Sequence, residues 1–200
     1  MDLFGRTRIT VFEETTEGTE DSSRYDQYRP LMGGIILEGL SCTGSFSSTG
    51  SYYITAGHCG SVGETIGTIT KVANSGPVDA ALIKVDNTSW LSNDLFAQSP
   101  RDREITDWQA EYEENEGDYV CKAGYKTGYT CGTVTSTYYS VRTHHNMTVA
   151  SYTRDGGDSG DPVFNGNQLR GIYEGTSSLG AVYSQIDNVQ YALGIGVRTY

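Results

Sequence analysis

The chain has 200 residues, and its 14 Lys and Arg against 25 Asp and Glu leave a formal net charge of -11. So acidic a surface excludes phosphate-backbone binding, which needs clustered cations, and no nucleic-acid partner is expected. No apolar run reaches the roughly 20 residues that span a bilayer, so no membrane partner is expected either.

Taken in chain order, residues 1–29 differ from the rest. Arg6 to Phe12 alternates like one strand, and the acidic stretch Glu13 to Asp21 follows. The segment reads as an acidic arm, an added edge strand or a propeptide remnant, and composition does not choose among them. No signal-peptide pattern follows Met1, so an exported chain is expected to be a processed form. From Pro30 onward, short apolar runs alternate with turn signals. Strands are predicted over residues 33–37, 51–55, 65–72, 80–85, 132–135, 147–152, 162–164, 169–173 and 180–186. The acidic run Glu111 to Glu116 is predicted to be a solvated loop between two halves. A helix is predicted over Ile186 to Leu193. The 25 Gly and 15 Tyr suit short strands joined by tight turns. The expected fold class is therefore all-β, a sandwich or a barrel pair in one unit.

The four cysteines fall into two short-range pairs. Disulfides Cys42–Cys59 and Cys121–Cys131 are expected, and with them an oxidising compartment. The closely spaced ligands of a zinc site are missing, so no metal is expected. His144 and His145 are adjacent on a predicted strand edge, where neighbouring side chains face opposite ways, and they are not expected to form one site.

Three segments carry the candidate chemistry. In Thr55-Ala56-Gly57-His58-Cys59, a His stands at a strand end, where a rigid element can hold its ring as a general base. In Val78-Asp79-Ala80-Ala81-Leu82-Ile83, an Asp opens a buried strand and needs a partner to offset desolvation; a His N–H would serve. In Gly156-Gly157-Asp158-Ser159-Gly160-Asp161-Pro162, glycines allow the backbone that aims N–H groups at an oxyanion beside a nucleophilic Ser. Each segment alone has an ordinary structural explanation. Together, in the order His, Asp, Ser, they predict the triad His58, Asp79 and Ser159, with the N–H groups of Gly157 and Ser159 as oxyanion donors. The Ser, Asp, His order and G-x-S-x-G elbow of the α/β-hydrolases do not fit, since Asp161 stands where that elbow has its last Gly.

On these residues the chain resembles the chymotrypsin-like serine proteases, in particular the bacterial streptogrisin and α-lytic protease group. The stretch from Val120 to Val134 resembles that group's second disulfide hairpin. The resemblance implies a double barrel of two antiparallel six-stranded β-barrels, approximately 30–110 and 117–200, with a short C-terminal helix. It implies a secreted endopeptidase without a cofactor that binds polypeptide substrates extended in the inter-barrel cleft, acting as a monomer. The substrate-pairing strand maps to Tyr173, Glu174 and Gly175, and Thr153, Arg154 and Asp155 are expected to wall the primary pocket. Relatives carry Arg where Lys122 stands, paired with the Asp before the nucleophile, so a structural Lys122–Asp158 contact is expected. They carry Gly in place of Asp161 and Ser in place of Glu174. A Glu174 in the pocket would favour basic P1 side chains, and an inward Arg154 acidic ones. A catalytically silent binding module and a latent form covered by residues 1–29 are the alternatives.

Overall fold

The computed structural model describes residues 23–37, 40–60 and 66–200, so the strand predicted from Arg6 and the acidic stretch after it lie outside the described residues. The chain is mostly β. The strands are β1 (Leu31–Gly33), β2 (Ile36–Leu37), β3 (Cys42–Thr43), β4 (Tyr52–Thr55), β5 (Gly67–Ser75), β6 (Val78–Val85), β7 (Leu91–Leu95), β8 (Arg103–Glu104) and β9 (Asp107–Trp108). They continue as β10 (Tyr119–Gly124), β11 (Gly128–Val141), β12 (His144–Ala150), β13 (Pro162–Asn165), β14 (Gln168–Thr176) and β15 (Ala181–Gln185). One helix, α1 (Ile186–Leu193), follows.

The C-terminal half closes on itself. Strands β13-β10-β11-β12-β15-β14 are hydrogen-bonded in that order and β14 returns to β13, giving a six-stranded antiparallel barrel with β9 added beside β14. In the N-terminal half a second closed six-stranded barrel is not shown. Among the described residues that half forms three small sheets, β1-β7-β8, β2-β3 and β4-β6-β5. Two of its shortest strands, β2 and β3, end for identifiable reasons. Gly34, at φ +90°, turns the chain between β1 and β2. β3 gives a backbone bond away to the other half, since Thr43 N donates to the Ser159 carbonyl at 2.8 Å.

One apolar core joins the halves. Phe46, Ile54, Ala80 and Leu82 pack in the same cluster as Phe164, Ile172, Ile186 and Val189. The first turns of α1 repeat the apolar spacing that predicts a helix. Ile186, Val189 and Leu193 are buried on one face, and Gly194, at φ +74°, takes the left-handed cap. Residues 23–29 pack on the N-terminal half, with Arg24 Nη1 donating to the Gly34 carbonyl at 2.7 Å and the guanidinium over the Phe96 ring. The acidic run is not wholly solvated. Glu114 is buried against Arg170 at 3.2 Å, and Glu111 accepts from Asn188 at 3.0 Å. No helix of the described residues is long and apolar enough to cross a membrane.

Candidate active site

His58 sits on a single 3-10 turn, Gly57–Cys59, directly after β4, and Cys59 is joined to Cys42 of β3. Asp79 is the second residue of β6 and fully buried. Its two oxygens both serve His58. Oδ1 accepts the His58 backbone N–H at 2.9 Å, and Oδ2 lies 2.6 Å from the ring Nδ1. A carboxylate there requires the proton on Nδ1 and leaves the Nε2 lone pair to take another. The Asp79 backbone N–H is anchored across the halves on Ser184 Oγ at 2.8 Å. The hydrogen bond to Asp79 raises the His58 pKa; burial opposes the shift, and the Asp79 and Glu174 charges add to it.

Ser159 lies across the same cleft, a cavity of about 610 Å³ lined by His58, Asp79, Arg154, Ser159, Tyr173 and Glu174 among others. Its hydroxyl donates to the Glu174 carbonyl at 3.3 Å. Among the described residues His58 Nε2 has no hydrogen bond to it in this conformation. The loop is fixed from three sides. Thr43 Oγ1 donates to the Gly157 carbonyl at 3.1 Å, Gly160 N to Tyr173 O at 2.8 Å, and Asp161 N to Asp158 O at 2.9 Å. The N–H groups of Gly157 and Ser159 find no acceptor among the described residues. Gly157 has φ +108°, and a Cβ there would stand 2.5 Å from the Tyr125 hydroxyl, so the position demands glycine.

The Trypsin family matches residues 18–193. The chain belongs to the trypsin family. Streptogrisin-C of Streptomyces griseus is 30% identical over 190 residues, covering 87% of this chain and 40% of that protein, so the chain spans less than half of that relative. Cellulomonas bogoriensis chymotrypsin superposes with a TM-score of 0.73 at 25% identity, over 84% of this chain and 98% of that one. Thermobifida fusca protease A gives 0.72 at 25% identity with the same coverage of each chain.

Two features depart from the pattern expected of this trypsin-family branch. First, Lys122 is fully buried between two carboxylates, with Nζ 3.0 Å from Asp158 Oδ2 and 2.8 Å from Asp161 Oδ2. Asp158 is well supplied with donors, from Thr127 Oγ1 at 2.6 Å, Asp155 N at 2.9 Å and Thr127 N at 3.1 Å. Burial pushes its carboxyl up, but Lys122 and the Thr127 bonds outweigh burial and the net shift is downward. Asp161 touches Lys122 without hydrogen-bond geometry, and burial pushes its carboxyl up to about 7. Second, the Glu174 side chain turns towards His144, Oε1 lying 3.0 Å from Nδ1, and burial with the nearby Asp79 charge raises it to about 7.

Arg154, Tyr173, Glu174 and Gly175 line the cavity, and so does Asp155, whereas Thr153 does not. Thr153 is exposed, and its carbonyl accepts from Thr130 Oγ1 at 2.7 Å. Sequence reasoning missed Arg142, His144, Thr176 and Val182 in the lining. The two-residue period from Glu174 to Thr176, and the choice of one face by His144 over His145, were the available signals. Both disulfides are formed, Cys42–Cys59 and Cys121–Cys131.

Proposed function

We propose that this chain is a secreted serine endopeptidase that hydrolyses polypeptides through an acyl-enzyme on Ser159. The observation that carries the reading is the His58–Asp79 pair facing Ser159 across one cleft, beside two backbone N–H groups that have no acceptor. Ser159 Oγ attacks the scissile carbonyl carbon while His58 Nε2 takes its proton. The carbonyl oxygen, now negative, is held by the N–H groups of Gly157 and Ser159. When the C–N bond breaks, His58 returns the proton to the leaving amine, and water repeats the sequence on the ester. Asp79 keeps the ring in the useful tautomer and stabilises the imidazolium.

Substrate binds extended along β14. Tyr173 pairs with Tyr183 and Gly175 with Val182, so Glu174 is the extra residue of a bulge, out of the β14–β15 ladder. A substrate N–H at the Glu174 carbonyl would displace the Ser159 hydroxyl and release it towards His58. The small sheets of the N-terminal half correspond in this reading to the first barrel of the family, within a protease domain over 30–200. Two disulfides favour an extracellular site of action. The catalytically silent alternative is disfavoured because all three triad positions are filled. Fluorophosphonate labelling tests the reading. Stoichiometric labelling is expected for the native chain and none for Ser159→Ala or His58→Ala; an unlabelled, folded, disulfide-intact chain would refute it.

A further inference from the structure

The same cleft holds a cation with no counter-ion among the described residues. Arg154 is half-buried in the cavity lining, and among the described residues its guanidinium makes no ion pair. Its Nε donates to Thr176 Oγ1 at 3.2 Å, and its Nη1 reaches the Tyr152 carbonyl at 3.5 Å. The Tyr173 hydroxyl lies 3.2 Å from the same Thr176 Oγ1. Once Arg154 donates to Thr176, the two hydroxyls have one hydrogen bond between them and two protons, so one O–H is left over whichever of them donates. Arg154 Nη2 is likewise uncommitted among the described residues. The pocket therefore presents a charged N–H and a hydroxyl, both donors, beside the apolar wall of Val182.

We infer that this pocket selects an acidic side chain, Glu or Asp, at the substrate residue whose carbonyl is attacked, with Arg154, Thr176 and Tyr173 as its donors. The inference rests on the protease reading above. A carboxylate matches a guanidinium fork and an adjacent hydroxyl better than any other protein side chain. The acids in the lining do not compete. Glu174 is turned to His144, Asp79 is occupied by His58, and Asp155 is exposed with Oδ1 capping the Gly156 N–H at 2.7 Å. The chain's overall negative charge acts at long range and is screened beyond about 8 Å at physiological salt, whereas this contact is made within hydrogen-bond distance.

Peptide p-nitroanilides alike except for Glu, Asp, Gln, Leu or Lys at P1 give the first test. Glu or Asp should exceed the isosteric Gln in kcat/KM by roughly tenfold to a hundredfold, the range of a charge-assisted hydrogen bond, and the faster of the two acids fixes the depth of the site. Arg154→Leu should bring the Glu-to-Gln ratio near one, and Arg154→Glu should transfer the preference to Lys. Binding to the uncleaving Ser159→Ala chain, measured by calorimetry on peptides with Glu or Gln at P1, reads the same selectivity without turnover. A fluorophosphonate-labelled enzyme that prefers Leu or Lys overturns the pocket and leaves the protease reading standing. An unlabelled chain that still binds Glu over Gln in an Arg154-dependent way keeps the pocket and overturns the protease reading.

Discussion

Replacing Asp161 with Asn changes one buried oxygen and removes one ionisation, and its effect on stability has a definite sign. One ammonium, that of Lys122, serves two carboxylates that are both fully buried. Asp158 holds the better donors and stays ionised, so Asp161 is the group that takes a proton, at about 7. In the unfolded chain the same carboxyl titrates near its ordinary value of about 3.9. Between those values the folded chain keeps a proton that the unfolded chain has released. The resulting stability is fully present below about pH 4 and is lost as pH rises through about 7. One proton sets a limiting slope of about 1.4 kcal/mol per pH unit, so this group alone withdraws up to about 3 kcal/mol between pH 5 and 7. For a chain of this size that is roughly 6–12 °C in Tm. Asn keeps the shape and cannot ionise. Thermal unfolding followed by circular dichroism at half-unit steps from pH 5 to 8 should show the Asp161→Asn advantage growing up to about pH 7 and then levelling. Parallel curves for the two proteins across the range would refute the assignment of the proton to Asp161.

Three further changes probe the same region. Lys122→Met strips the cation from Asp158 and Asp161 and should cost about 3–5 kcal/mol, read as a lower denaturant midpoint; unchanged stability and activity would deny the ion contacts any role. Gly157→Ala puts a Cβ against the Tyr125 hydroxyl at a φ of +108° and displaces one oxyanion donor. It should lower kcat by roughly 10²–10³ with little change in KM, and wild-type turnover would exclude Gly157 from the oxyanion site. Activity needs unprotonated His58, so kcat/KM should fall as pH drops through a His58 pKa lying above 6.5. Glu174→Gln removes one of the charges that raise it and should move that acid limb to lower pH; an unmoved limb would show that Glu174 does not act on His58.

Much of the site was legible because its parts are local. TAGHC, the Asp opening an apolar strand and GDSG each carry their chemistry within a few residues, and the chain order His58, Asp79, Ser159 supplied the rest. The cysteine pairs and the helix over Ile186–Leu193 were legible for the same reason, with Gly194 marking the helix end. What failed depended on distant partners. Two- and three-residue strands leave no alternation to count, and the pairing of β1 with β7 joins segments whose spacing carries no signal. The burial of Glu114 depends on Arg170, on another strand, so a run of acids looked uniformly solvated. Asp161 read as a departure from the family pattern, because its tie to Lys122 exists only once β10 runs beneath the nucleophile loop.

The two unusual carboxyls, Asp161 and Glu174, show how one environment can produce separable effects. Both are pushed to about 7, and burial is the main cause in each case. Both therefore titrate near neutral pH, and an observed pH–rate curve belongs to the set of groups before it belongs to any one of them. Their neighbours break the symmetry. Glu174 faces the cleft and is among the charges that raise His58, whereas Asp161 is enclosed with Lys122 and Asp158 and does not figure among the main charges acting on that ring. Asp161 should accordingly act on how the fold's stability depends on pH, whereas Glu174, raised to about 7 as well, carries the same linkage to stability and also acts on the rate. Asp161→Asn and Glu174→Gln, compared in both assays, separate the two roles: Asp161→Asn should flatten the stability curve and leave the acid limb of the rate in place, whereas Glu174→Gln should move both.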